Sequence, residues 1–166
     1  MGLDMYMYVR KSESVGHWQD DYKEKISGFY PPEFENLQNK IAERNFLSKD
    51  TMYQVGYWRK ANAIHNWIVT NCAKGVDNCQ EIYMSKSNLQ HLLDTCKEVL
   101  SDHSKAEDLL PTKDGFFFGN LEYNEWYFKD LNYTVELLTD VLKLLDDNEK
   151  EQSFYLYYDV IYQASW

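Results

Sequence analysis

Hydrophobic and polar positions alternate at both ends of this chain, which is typical of half-buried strands. The alternation runs over residues 3–10 and again over residues 153–163. Between these ends, apolar side chains recur at the helical period of 3.6 residues over 33–45, 57–72, the run after Ser85 or Ser87, and 124–146. A short strand is expected at 81–84. The pattern predicts an α+β fold: one compact domain over residues 1–166, with about four helices packed on a small antiparallel sheet that includes both termini.

The segment 57–72 combines a predicted amphipathic helix with side chains that are able to bind a ligand. On a helical projection Arg59, Asn62 and Asn66 fall on one polar face, with Trp58 and His65 at its border. Arginine presents a planar set of donors suited to phosphate or carboxylate, asparagine pairs with amide or base edges, and tryptophan stacks on rings. The alternative is a surface helix whose arginine pairs with a distant carboxylate and whose amides face solvent.

A second aromatic and acidic stretch spans residues 120–128. If it packs beside the 57–72 helix, Tyr123 or Trp126 is expected to form the second wall of an aromatic site. Glu122 and Glu125 raise the idea of a glycosidase-like pair or a metal clamp. Acidic residues are also favourable at a helix start, for which Asn124 is a suitable cap, so a structural role is the simpler interpretation.

Two further segments are interpreted structurally. Residues 115–119 (GFFFG) lack the lysine and hydroxyl residue of a phosphate-binding loop, so we predict a buried strand between two turns. Residues 11–32 carry many charges, two glycines and a Pro-Pro pair, which predicts a charged loop.

Charge limits the classes of partner. The chain has 27 acidic and 17 basic residues, a net charge of −10 with histidine neutral. This argues against direct binding of nucleic acid, which requires clustered Lys and Arg. It remains compatible with an acidic protein that binds a basic host protein. Aromatic residues make up 16% of the chain, which is compatible with a homodimer without requiring one.

Motifs for metals, cofactors and nucleophilic catalysis are absent from the sequence. Its three cysteines form no CxxC pair, its four histidines form no HExxH, and there is no GxSxG element. We therefore expect no catalytic residue, no metal and no cofactor. The start of the chain is unlike a signal peptide, and no apolar run approaches the length of a membrane span, so we expect no membrane partner.

Six segments are distinctive as a set: 2–6 (GLDMY), 57–67 (YWRKANAIHNW), 105–111, 115–119 (GFFFG), 125–131 (EWYFKDL) and 162–166 (YQASW). Together they resemble a family of small proteins encoded by tailed bacteriophages and prophages. The resemblance covers nearly the whole chain, with residues 11–53 matching least. It implies a phage-encoded accessory protein in the host bacterial cytoplasm, for which interference with host defence is a plausible task. It assigns no residue a catalytic role.

Three functional hypotheses follow. The leading one is a protein that binds and sequesters a small nucleotide-like host signal without cleaving it. This hypothesis favours a binding protein over an enzyme. Its ligand-binding residues would be Trp58, Arg59, Asn62, His65, Asn66, Tyr123 and Trp126. The alternatives are an acidic inhibitor of a host defence or nucleic-acid enzyme, and a nucleotide hydrolase.

Overall fold

Four strands form one antiparallel sheet in the computed structural model of the chain, which describes residues 2–166. The strands are β1 (Asp4–Val15), β2 (Leu47–Arg59), β3 (Ile82–Met84) and β4 (Leu156–Ser165). The α-helices are α1 (Tyr22–Ile26), α2 (Glu35–Ala42), α3 (Asn62–Cys72), α4 (Lys86–Ser101), α5 (Ala106–Leu109) and α6 (Glu125–Asp147). Short 3-10 turns occur at Pro32–Phe34, His103–Lys105 and Glu149–Glu151.

The strands lie in the order β2-β1-β4-β3, so the strands from the two ends of the sequence are neighbours in the centre of the sheet. The two central strands pair in continuous register from Asp4 opposite Ser165 to Glu13 opposite Leu156. The predicted α+β fold, with helices on a small antiparallel sheet that includes both termini, is confirmed.

The core lies between one face of this sheet and the three longest helices. Met5, Met7 and Val9 point to that face from alternate positions of β1 and are buried against residues of α3, α4 and α6. The packing is close where α6 crosses β2: a Cβ added at Gly56 would lie 2.4 Å from Cδ2 of Leu137. The apolar positions of the alternating sequence are therefore those on the face of the sheet that the helices cover.

Side-chain caps set the starts of the two longest helices as the sequence predicts. Ser85 Oγ accepts a hydrogen bond from the backbone N–H of Asn88 at 3.1 Å, at the start of α4. Asn124 Oδ1 accepts from the backbone N–H groups of Trp126 and Tyr127 at the start of α6. Each cap satisfies donors that the first helical turn leaves without an intrahelical partner.

The segment 11–32 has more regular structure than the predicted loop. Residues 11–15 continue β1, and α1 lies within the remainder. Val15 and Phe29 of this segment form a second, smaller cluster of buried residues with Leu47 of β2. A charged sequence concealed this cluster because its apolar residues are far apart in the chain.

The prediction of a helix beginning at Tyr57 is wrong. Tyr57, Trp58 and Arg59 belong to β2, opposite Tyr6, Met5 and Asp4 of β1. Lys60 then adopts a positive φ of 61°, which ends the strand, and α3 begins only at Asn62.

The prediction of a buried strand at residues 115–119 is also wrong. These residues form a turn closed by a hydrogen bond from the Phe118 N–H to the Gly115 carbonyl. Phe118 is buried whereas Phe116 is 97% exposed, so neighbouring rings point into the core and into solvent. The turn places its backbone beside Lys60, close to the connection between β2 and α3.

Candidate functional site

A cavity of about 270 Å³ lies where the β2–α3 connection meets the start of α6. Its walls are residues 59–64, four residues of the segment before α6 or of its cap, and four residues of the first turns of α6. These are Arg59, Lys60, Ala61, Asn62, Ala63, Ile64, Thr112, Asn120, Glu122, Asn124, Trp126, Tyr127, Asp130 and Leu131. The cavity therefore joins the two sequence segments from which the candidate ligand-binding residues were chosen.

Two cations without close internal partners line the cavity. The only ion pair of Arg59 within residues 2–166 is a contact with Asp4 at 4.0 Å, and its side chain is 61% exposed. Lys60 forms no ion pair in that part of the chain, and its aliphatic stem lies against the backbone of Gly2 and Gly119. Both charges are therefore available to an anion.

The N-terminus of α3 opens on the same cavity. Its N-cap residue, Ala61, has no side-chain acceptor and cannot cap the helix. The backbone N–H of His65 donates to the Ala61 carbonyl, but those of Ala63 and Ile64 donate no hydrogen bond within the described residues 2–166. Helix N-termini of this kind attract anions through their free N–H groups and the helix dipole.

An exposed indole also lines the cavity. Trp126, on the first turn of α6, is 65% exposed. The ammonium of Lys129 lies 4.1 Å from the centre of its ring, a cation–π contact. Because so much of the ring is uncovered, it offers a stacking surface beside the cationic wall.

Asp130 lies one helical turn beyond Trp126 and also lines the cavity. Its backbone carbonyl accepts from Thr134 Oγ1 at 2.7 Å, but its carboxylate forms no hydrogen bond or ion pair within residues 2–166. Burial raises the pKa of this carboxyl from its ordinary value near 3.8 to about 6, because the cavity disfavours its charged form.

Asn62 holds a wall of the cavity from inside the protein. Its side chain is 3% exposed, and its Nδ2 donates to the carbonyls of Phe118 and Asn120 at 3.0 and 2.9 Å. Its Oδ1 accepts from the backbone N–H of Lys113 at 3.0 Å. The amide predicted to bind a ligand thus has all these partners within the chain, and it fixes the segment 113–120 against α3.

Trp58 and His65 lie in the protein interior rather than along the cavity. Trp58 is 2% exposed, and its indole N–H donates to Thr134 Oγ1 at 2.9 Å. His65 Nδ1 lies 2.7 Å from the Tyr162 hydroxyl, and its Nε2 lies 3.0 Å from Asp77 Oδ2. Burial raises the pKa of Tyr162 well above its ordinary value, so the hydroxyl beside Nδ1 keeps its proton.

The remaining two candidates are separated from each other. Asn66 lines a different cavity, beside Trp67 and His91. The Tyr123 hydroxyl accepts from the backbone N–H of Thr112 at 3.4 Å, and its ring packs edge-to-face on Tyr127. The structure therefore brings Arg59, Asn62 and Trp126 to one cavity, and the prediction that residues 59–66 present one polar helix face is wrong.

Sequence reasoning missed two residues of the cavity. The sequence pattern predicts one helix over residues 57–72, where Lys60 and Arg59 would point in different directions. Lys60 is instead a left-handed residue that follows a strand, so the helical projection does not apply to it. Asp130 carried a detectable signal, since it stands four residues after Trp126 and must share its helix face.

Other cavities are larger, at about 320, 440, 520 and 570 Å³. The 320 Å³ cavity is lined by neither Lys nor Arg, and in the 440 Å³ cavity Lys25 is already paired with Asp21. In the 520 Å³ cavity, the Lys86 ammonium is already paired with Asp146 and Glu149. In the 570 Å³ cavity, Lys49 Nζ already donates to the Phe29 carbonyl at 2.7 Å. Because these lysines already have partners within the protein, the Arg59 cavity is the better candidate site for an anionic ligand.

Residues 2–166 contain no group of three or more His, Cys, Asp or Glu side chains placed to hold a metal ion. No helix in that part of the chain has the length and apolar character needed to cross a membrane. Comparison of the chain with protein-family models, with curated proteins and with solved structures found no match.

Proposed function

We propose that this chain binds and sequesters a small nucleotide-like host signalling molecule, as a phage-encoded accessory protein that counters host defence. One observation supports the binding: Arg59, Lys60 and the open first turn of α3 face the same cavity as the exposed ring of Trp126. The phage origin and the host cytoplasm are supported by the sequence resemblance alone.

The cationic wall suits a phosphate group. The guanidinium of Arg59 provides a planar set of donors that matches two phosphate oxygens, and Lys60 adds a second positive charge. The N–H groups of Ala63 and Ile64 supply neutral donors at the positive end of α3. A phosphate bound here would also satisfy two backbone donors that have no partner among residues 2–166.

The aromatic wall suits a planar ring. Stacking of a base on an aromatic side chain contributes about 1–3 kcal/mol in single-stranded nucleic acid complexes, and Trp126 is the exposed ring of this cavity. A volume of about 270 Å³ is at the small end of ligand pockets, which favours a nucleotide-sized molecule over a polymer.

A thermal-shift screen of cytoplasmic nucleotides and cyclic dinucleotides tests the proposal. A ligand at 100 times its dissociation constant stabilises the native state by about 2.7 kcal/mol, which raises the melting temperature of a domain of this size by about 5–10 °C. Arg59→Ala removes a charged hydrogen-bond donor and should weaken binding by about tenfold to hundredfold. Its own stability should change little, because the side chain is exposed.

Arg44→Ala is the matched control, since Arg44 is an exposed arginine in the turn after α2 and does not line the cavity. It should retain the wild-type ligand shift. An equal shift in wild type, Arg59→Ala and Arg44→Ala would contradict a site at this cavity. Chromatography of the ligand recovered from the complex distinguishes sequestration, which returns it intact, from the hydrolase alternative.

The acidic-inhibitor alternative is favoured by a different feature. Phe116, 97% exposed at the tip of the 115–119 turn, has the character of an anchor for a protein partner, and the chain carries a net charge of −10. If no nucleotide stabilises the wild type, this second function becomes the better account.

A further inference from the structure

The Asp130 carboxylate is a polar group of the cavity that the proposed function does not use. It is half-buried, it lines the cavity one turn beyond Trp126, and within residues 2–166 nothing donates a hydrogen bond to it. A half-buried carboxylate without a donor is unfavourable, because it has lost part of its hydration without compensation. Its position calls for donors from whatever occupies the cavity.

The charged and titratable groups around Asp130 come from each wall of the cavity. Arg59 and Lys60 lie on the β2–α3 connection, Glu122 lies on the segment before α6, and Tyr127 lies on α6 itself. Burial raises the pKa of Tyr127 well above its ordinary value, so that side chain stays neutral. With the pKa of Asp130 raised to about 6, its carboxyl is mostly ionised at pH 7 and mostly protonated at pH 5.

An ionised carboxylate only accepts hydrogen bonds, and its two oxygens accept best from two parallel donors. Among the common bases, guanine presents such a pair on one edge, the N1–H and N2–H groups. Adenine and cytosine present one donor beside one acceptor, which would require a protonated carboxyl. Uracil places one donor between two acceptors.

We infer that the ring stacked on Trp126 is a guanine, whose N1–H and N2–H groups donate to the Asp130 carboxylate while its phosphate lies against Arg59 and Lys60. This rests on the proposed function, because it requires a nucleotide in the same cavity. It adds the class of base, and therefore which cytoplasmic nucleotides the chain would sequester.

Binding of guanine should depend on pH in a defined direction. Guanine binds the ionised form of Asp130, so affinity falls as the carboxyl is protonated. With its pKa at about 6, the ionised fraction falls about tenfold between pH 7 and pH 5, and so should the affinity. ATP carries the same triphosphate as GTP, so titrating both over this range isolates the contribution of the base.

The experiment is calorimetric titration of the full chain with GTP, ATP, CTP and UTP near pH 7 and pH 5. We expect GTP to bind wild type at least tenfold more tightly than the others at pH 7, and this preference to shrink at pH 5. Asp130→Asn should abolish the preference, because an amide offers one donor beside one acceptor. Asp140→Asn is the control, since Asp140 is exposed on the same helix and does not line the cavity.

Thermal unfolding without ligand shows whether the Asp130→Asn variant is folded. It also reports on the charge of the Asp130 carboxyl in the wild type. A carboxyl whose pKa is raised in the folded state costs stability as pH rises from about 4 to about 6. Asp130→Asn without ligand should therefore melt a few degrees above wild type at pH 7 and at the same temperature near pH 4.

The outcomes separate the two proposals. Equal affinity for all four nucleotides, a preference for adenine, or a guanine preference that survives in Asp130→Asn would each overturn the assignment of the base while leaving a nucleotide site intact. No heat of binding with any of the four, together with no effect of Arg59→Ala in the thermal screen, would overturn both.

Discussion

Asn62→Ala is expected to destabilise the protein by about 2–4 kcal/mol, because one buried amide holds the segment 113–120 against α3. The alanine would leave the carbonyls of Phe118 and Asn120 and the N–H of Lys113 without the partners they have now. An unsatisfied buried polar group costs about 1–3 kcal/mol, less where water can reach it, as at Asn120. Thermal unfolding should show a melting temperature lower by about 5–15 °C.

Asn66→Ala is the matched control, one turn further along α3. The amide of Asn66 forms no hydrogen bond within the described residues, so this variant should unfold within about 0.5 kcal/mol of wild type. Asn62→Asp distinguishes the accepted hydrogen bond from the two donated ones. A carboxylate can still accept from the Lys113 N–H but can donate to neither carbonyl. Equal stability of Asn62→Ala and Asn66→Ala would show that the amide does not hold the segment.

His65→Ala is expected to cost about 3–5 kcal/mol of folding free energy, in the range of large-to-small core substitutions. The imidazole is 1% exposed and packs edge-to-face on Phe118 and Trp166, with ring centres 5.2 and 5.8 Å apart. Its loss leaves a cavity and removes the hydrogen-bond partner of the buried Tyr162 hydroxyl. Denaturant unfolding should give a lower midpoint with little change in slope.

The comparison for His65→Ala is His91→Ala, because His91 is exposed on α4, where its ring packs edge-to-face on Trp67. That variant should lose less than about 1 kcal/mol. If His65→Ala instead folds with wild-type stability and loses nucleotide binding, His65 belongs to the ligand site as the sequence suggested.

Features set by short-range rules were predictable from the sequence. The cap at Asn124, the helical spacing of apolar residues in α6 and the alternation in β1 depend on residues a few positions apart, and each is confirmed. The alternation predicted for the last strand is wrong at Val160, Ile161 and Tyr162, which are all buried although they are consecutive. The start of α3 was not predictable in this way. The apolar residues of 57–68 fit a helical period, yet pairing with β1, more than fifty residues earlier in the chain, holds Tyr57 to Arg59 as strand.

The same distinction between short-range and long-range contacts applies to the residues of the candidate site. Arg59 and Trp126 were proposed from their chemistry, and the fold brings both to one cavity. Asn62 and His65 have equally suitable chemistry, but their partners come from residues 113–120, Asp77 and Tyr162. Such distant partners cannot be identified from one sequence, which is why buried structural amides and imidazoles resemble binding residues there.

The most direct test of the nucleotide site is a proton–nitrogen correlation spectrum of the tryptophan indoles during titration with GTP and then ATP. The chain has five tryptophans, and each contributes one indole N–H signal. The signal of Trp126 should move with saturable dependence on nucleotide, while that of Trp58, bound to Thr134 in the core, should stay in place. A Trp126 signal that stays fixed in both titrations, or a largest shift at Trp18 at the far end of β1, would contradict a nucleotide site in this cavity.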